Sequence, residues 1–234
     1  YVQSRSFYIN PKLLAESDVS NAYACLHKDF YFIAAGDSLY VLDLLQKHFE
    51  QGEPYSNYQY ECFYLTGIPA RVIWDDDGEL FFGTADGKVC RFNTDETAPN
   101  SYNDTMDGET YTPVQCQWET PDIDGKTFYS SKHFRYLACR LSAFVRTSVN
   151  ADAMCAGKWF SILTDSISAR FFSWDNIDWS KWTWNNDTTP KVLGRKLDMR
   201  NLDKIRFRFS NSNAEPFGIE NIAVEYRETR KYRG

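Results

Sequence analysis

The sequence predicts an all-β chain in two parts, two β-propeller-like blades followed by an antiparallel β-sandwich. Three observations predict it. A pattern of strand, charged turn, strand, tight turn and strand occurs twice in the first hundred residues, at an offset of about 49. From Pro113 onward apolar residues recur with period two, without a long helical pattern. Among the 234 residues, 17 Phe, 15 Tyr and 7 Trp bring the aromatic share to 17%, a composition suited to pleated, half-buried surfaces.

The repeat compares Ala22–Asp43, AYACLHKDFYFIAAGDSLYVLD, with Ala70–Asn93, ARVIWDDDGELFFGTADGKVCRFN. Tyr31-Phe32-Ile33 corresponds to Leu80-Phe81-Phe82, and Leu39-Tyr40-Val41 to Lys88-Val89-Cys90. Asp77-Gly78 and Asp86-Gly87 offer the positive φ that type I′ hairpins require. Tyr58–Leu65, YQYECFYL, supplies an outer fourth strand between the units. Short helices are expected at Pro11–Glu16 and Leu42–Phe49. A closed propeller has about four to eight blades. Further blades are therefore expected before Tyr1, and the chain is read as the C-terminal piece of a larger protein.

The expected division is a blade repeat over residues 1–98, a linker over 99–112 and a sandwich over 113–234. The polar run TDETAPNSYNDTMDGETYT (94–112) reads as a linker or a long hairpin end. In the sandwich, Leu137, Cys139, Leu141, Ala143 and Val145 share one face. Ile205, Phe207 and Phe209 alternate with Arg206 and Arg208, and Ile222, Val224 and Tyr226 alternate with Ala223 and Glu225.

Charge excludes some functions. The formal net charge is -6, against the basic excess of a dedicated nucleic-acid module. The charge is uneven, because residues 191–234 hold 11 Lys/Arg against 6 Asp/Glu. A basic patch is therefore expected at Arg206, Arg208, Arg230, Lys231 and Arg233, facing phosphates, an acidic neighbour or solvent. No stretch approaches the roughly 18 apolar residues of a membrane span. The six cysteines lie far apart without C-x-x-C, so buried free thiols are expected rather than a zinc or redox motif.

Catalytic signatures fail one by one. His27, His48 and His133 are isolated and read as surface or turn residues. Asp75-Asp76-Asp77-Gly78 and Asp122-Ile123-Asp124-Gly125 lack the alternating acids of a calcium loop and read as hairpin turns. Ser173-Trp174-Asp175 misses the sialidase box, with Ile177 where glycine is needed. Asn103-Asp104-Thr105 and Asn186-Asp187-Thr188 match a glycosylation sequon and read as chance. No enzyme activity, cofactor or metal is expected. The densest signal is Phe171–Asn185, FFSWDNIDWSKWTWN, whose Trp174, Trp179, Trp182 and Trp184 could plug a core, anchor an interface or stack on sugar.

Three segments resemble tail-associated virion proteins of phages and prophages of gut Firmicutes. They are the blade segment from SLYVLD through EPYSNYQYECFYL and IPARV to GELFFGTADGKVCRFN, the aromatic SWDNIDWSKWTWN, and the terminal IRFRFSNSNAEPFGIENIAVEYRETRKYRG. The aromatic segment is similar to that family's F-x-x-I-D-F-S-x-F-x-F element. A looser similarity links the chain to packaged-DNA stabilisation or neck proteins of short-tailed phages, which join a propeller to a β-rich region. The resemblance implies a non-enzymatic structural component of a virion tail or neck, assembled in the bacterial cytoplasm. Its expected partners are other virion proteins, copies of itself and a host surface glycan. The alternative is a carbohydrate-binding β-sandwich attached to a propeller, as a glycan-recognition or glycosidase accessory module.

Overall fold

The computed structural model describes residues 9–48, 59–95, 98–141, 147–167, 191–216 and 218–231. The chain is all-β and divides into two compact units, Tyr1–Thr94 and Asp95–Gly234.

The first unit holds two antiparallel sheets. One is the meander β1 (Tyr23–His27), β2 (Phe30–Ala35), β3 (Ser38–His48) and β4 (Gln59–Thr66), in that order. The other is β5 (Ala70–Asp76), β6 (Glu79–Thr84) and β7 (Val89–Arg91). Alternation decides their packing. Phe32, Ala34, Leu39 and Val41 of the first sheet are buried with Ala70, Ile73, Leu80 and Phe82 of the second. The other face of the first sheet carries Ala35, Tyr40 and Leu42, covered by Ile9 and by Leu13 of the helix α1 (Asn10–Ala15). Tyr40 donates to Glu16 at 3.1 Å, and burial, reinforced by Glu16, pushes its hydroxyl up to about 12. The described residues of this unit form two packed antiparallel meanders, with no closed ring among them.

Two local expectations are corrected. Leu42–Phe49 was expected to be helical, but its described part lies in β3. Leu42 pairs with Tyr31 and Cys62, and His48 pairs with Gln59, so cross-strand pairing overrides helix propensity. An irregularity between Asp43 and Lys47 bends this strand, and Asp43 Oδ1 accepts from the Leu45 and Gln46 amides at 2.9 and 3.1 Å. Asp77-Gly78 does form the two-residue turn, with φ of 50° and 80°. Asp86-Gly87 does not, since Thr84 N donates to Lys88 O at 3.0 Å across a longer loop in which only Gly87 has positive φ.

The second unit opens with the small hairpin β8 (Asn103–Asp104) and β9 (Thr112–Pro113), which closes the polar stretch read as a linker or a long hairpin end. The remaining strands are β10 (Cys116–Glu119), β11 (Ser130–Leu141), β12 (Thr147–Cys155), β13 (Lys158–Ile167), β14 (Lys191–Leu202), β15 (Arg206–Asn211) and β16 (Ile219–Lys231). They form two sheets, ordered β10-β15-β12-β13 and β14-β11-β16. One cluster joins the inner faces: Phe134, Leu137, Cys139 and Leu141 from β11, Val149, Ala151 and Ala153 from β12, Phe207 and Phe209 from β15, and Leu197 from β14. This is an antiparallel sandwich. The alternations read at 137–141 and 205–209 are buried as expected; Ala143 and Val145 lie outside the described residues.

All six cysteines are free thiols, Cys139 buried and Cys116 exposed. Burial pushes the thiols of Cys139 and Cys62 up to about 11. Among the described residues no helix is long and apolar enough to cross a membrane.

Candidate functional site

The two sheets of the first unit repeat in a directional way. Phe32 faces the second sheet, yet its repeat equivalent Phe81 points away from the first sheet and stacks on Trp74, with ring centroids 5.8 Å apart and planes 14° apart. Ile33 faces away from the second sheet, towards α1, yet its equivalent Phe82 is buried against the first sheet. The match of Leu39-Tyr40-Val41 with Lys88-Val89-Cys90 is corrected by one residue, because Val41 and Cys90 both pack in the shared core. The longer β6–β7 loop makes Arg91, opposite Phe81, the equivalent of Val41, opposite Phe32. With that shift the outer face of β5–β7 corresponds to the face with which β2–β3 packs on β5–β6. Such a head-to-tail contact can be extended, whereas a face-to-face pair would be closed.

That outer face is apolar at its centre and ionic at its rim. Val72, Trp74, Phe81 and Val89 form the centre, with Val89 67% and Val72 38% exposed. Gly83 lies beneath them: a Cβ there would meet Val72 Cγ1 at 2.9 Å and Trp74 Cζ3 at 3.8 Å. At the rim Arg91 donates to both carboxylate oxygens of Glu79 at 3.1 Å. An apolar core inside a polar rim is the anatomy of a protein interface.

His27 joins the two sheets. Read from sequence as a surface residue, it is buried and bonded through Nδ1 to Asp75, whose Oδ1 also accepts from Gly78 N at 3.2 Å. The His27 hydrogen bond, with that amide, holds the Asp75 carboxyl below its ordinary value. The two residues are 48 apart, one short of the repeat offset, which is the signal that could have found the pair.

Of the expected basic patch, Arg206 and Arg208 have described side chains, and both are paired. Arg208 donates to Asp152 from Nε at 3.0 Å and Nη2 at 2.7 Å, and its guanidinium lies 4.4 Å from the Trp159 ring centroid. Arg206 and Lys204 both reach Asp122, at 3.0 and 2.7 Å. Lys204, with Arg206 second, holds the Asp122 carboxyl below its usual value. On this face the arginines therefore meet local carboxylates before any external anion. Arg230 and Lys231 belong to β16, in register with Ser131 and Ser130. Arg233 lies outside the described residues, as do Trp174, Trp179, Trp182 and Trp184.

The other sheet carries a second charged face. Two register shifts in β11, on either side of Phe134, change the phase of its side chains. His133 and Arg200 converge on Asp198 at 2.8 and 2.9 Å, and Arg135 pairs with Glu225 at 3.1 Å. Arg200, then His133, draws the Asp198 carboxyl below its ordinary value. Among the described residues no group of three or more His, Cys, Asp or Glu is placed to hold a metal ion.

No protein-family model matches the sequence, and no curated protein is similar to it. Among the solved structures that align is an exo-β-1,3-galactanase from Phanerochaete chrysosporium determined with galactose, at 8% identity and a TM-score of 0.22. The alignment covers 88% of this chain and 56% of that one, so this chain spans little over half of that structure's length. A TM-score that low carries neither fold nor activity across.

Proposed function

We propose that the chain is a non-enzymatic structural component of a bacteriophage virion, in a tail or neck, that assembles through its β-rich surfaces. The observation that carries the reading is the open outer face of β5–β7. Val72, Trp74, Phe81 and Val89 continue a head-to-tail repeat whose previous step is buried, and exposed apolar patches of this kind mark association sites. The occupant that this geometry favours is another β-sheet of the same pattern, from a copy of this chain or a neighbouring virion protein. The resemblance to phage tail-associated proteins supplies the setting. The sandwich core and the ion-paired sheet faces suit a rigid, load-resisting part.

The test is to purify phage particles induced from the bacterium that encodes the chain and to label them with antibody against it. The proposal expects label at a fixed place on the tail or neck and the chain's peptides in the purified particles. Particles that carry neither would overturn it.

A further inference from the structure

The turn that leads into β11 holds two exposed rings. Phe128 is 73% and Tyr129 48% exposed, perpendicular to one another with centroids 5.4 Å apart. They form one wall of an open groove of about 490 Å³, completed by Ser131, by Asn201 at the end of β14 and by Asp203 just after it. That volume lies within the usual range of small-ligand sites, roughly 300–1,000 Å³.

Both walls are fixed from beneath by one residue. Lys132 is fully buried, and its ammonium donates to Thr127 O at 2.5 Å and Ser130 O at 2.8 Å on the aromatic side, and to Asp203 O at 2.9 Å on the other. Thr127 Oγ1 donates to Glu228 at 2.7 Å, and Lys126 N to Tyr226 Oη at 3.1 Å. Two large rings are thus held out in water by a rigid base, so little ordering remains for a ligand to impose.

The lining selects the ligand. A pyranose offers a face of C–H groups that stacks on an aromatic ring and a rim of hydroxyls that both donate and accept. The Asn201 amide, the Asp203 carboxylate and the Ser131 hydroxyl present both kinds of partner. The walls carry the Asp203 carboxylate, which disfavours anionic sugars.

We infer that this groove binds a neutral oligosaccharide, with Phe128 and Tyr129 as stacking rings and Ser131, Asn201 and Asp203 as its hydrogen-bonding groups. The inference goes beyond the assembly role and stands apart from it, because sugar binding and particle incorporation are read by different experiments.

The test is calorimetric titration of the full chain with neutral tetrasaccharides of glucose, galactose and N-acetylglucosamine in α and β linkage, beside uronate-containing counterparts. At least one neutral sugar is expected to bind. Phe128→Ala and Tyr129→Ala should each weaken it about tenfold or more while leaving the unfolding midpoint unchanged, since both rings are exposed. Binding of no neutral sugar, binding of the uronates alone, or affinity that survives both substitutions would overturn the inference.

Discussion

Replacing Lys132 by methionine keeps the side chain as far as Cε and removes the ammonium with its three donors. The ammonium sits at 0% exposure and spends every proton on a backbone carbonyl, those of Thr127, Ser130 and Asp203. A hydrogen bond to a charged group contributes about 1.5–3 kcal/mol, and burying an ammonium costs several kcal/mol in return. After the substitution the Ser130 carbonyl, on a buried residue, loses its charged donor at about 1.5–3 kcal/mol, whereas the Thr127 and Asp203 carbonyls lie in turns that water can reach. The expected net loss is about 2–4 kcal/mol in the second unit. Urea unfolding reads it as a lower midpoint at constant slope. Hydrogen exchange should rise at residues 126–131 and 201–204 together, because one side chain ties both turns. An unchanged or raised midpoint would show that burying the ammonium outweighs its bonds, and the reasoning would fail.

Other outcomes follow from the same geometry. Asp75 has a folded-state carboxyl value below its ordinary one, so the His27–Asp75 link stabilises at pH above the unfolded-state value of about 3.9 and is lost as pH falls through the folded value. The first unit's urea midpoint should therefore drop below about pH 4, and Asp75→Asn should flatten that dependence. Gly125 and Gly157 both have positive φ, but a Cβ at Gly125 would also meet Tyr226 Oη at 2.6 Å, while nothing lies within 4 Å at Gly157. Thermal melts should show Gly125→Ala losing more than about 1 kcal/mol and more than Gly157→Ala.

The sandwich was legible because its signal is local and repeated. Ile205, Phe207 and Phe209 alternate cleanly and all are buried, and Leu137, Cys139 and Leu141 behave alike. The strand–turn–strand repeat of the first unit was legible for the same reason, and Asp77-Gly78 turns as its chemistry requires. Leu42–Phe49 misled because its helical propensity is local while its two strand partners lie elsewhere in the chain. The ion pairs of Arg206 and Arg208 were invisible, since Asp122 and Asp152 are 84 and 56 residues away. Lys132 left a usable trace: it is in phase with the buried Ser130 and Phe134 along β11, so alternation alone places it on the inner face. Phe128 and Tyr129 left none, because a turn has no period to mark which rings stay exposed.

The central claim is that the uncovered face of β5–β7 is an assembly surface. The most direct test is the solution mass of the chain by light scattering, beside that of a Val72→Lys/Val89→Lys variant whose substitutions fall on exposed positions. The account predicts a defined oligomer for the unaltered chain and a folded monomer for the variant. A monomer in both cases, or an oligomer that two lysines on that face leave intact, would contradict it.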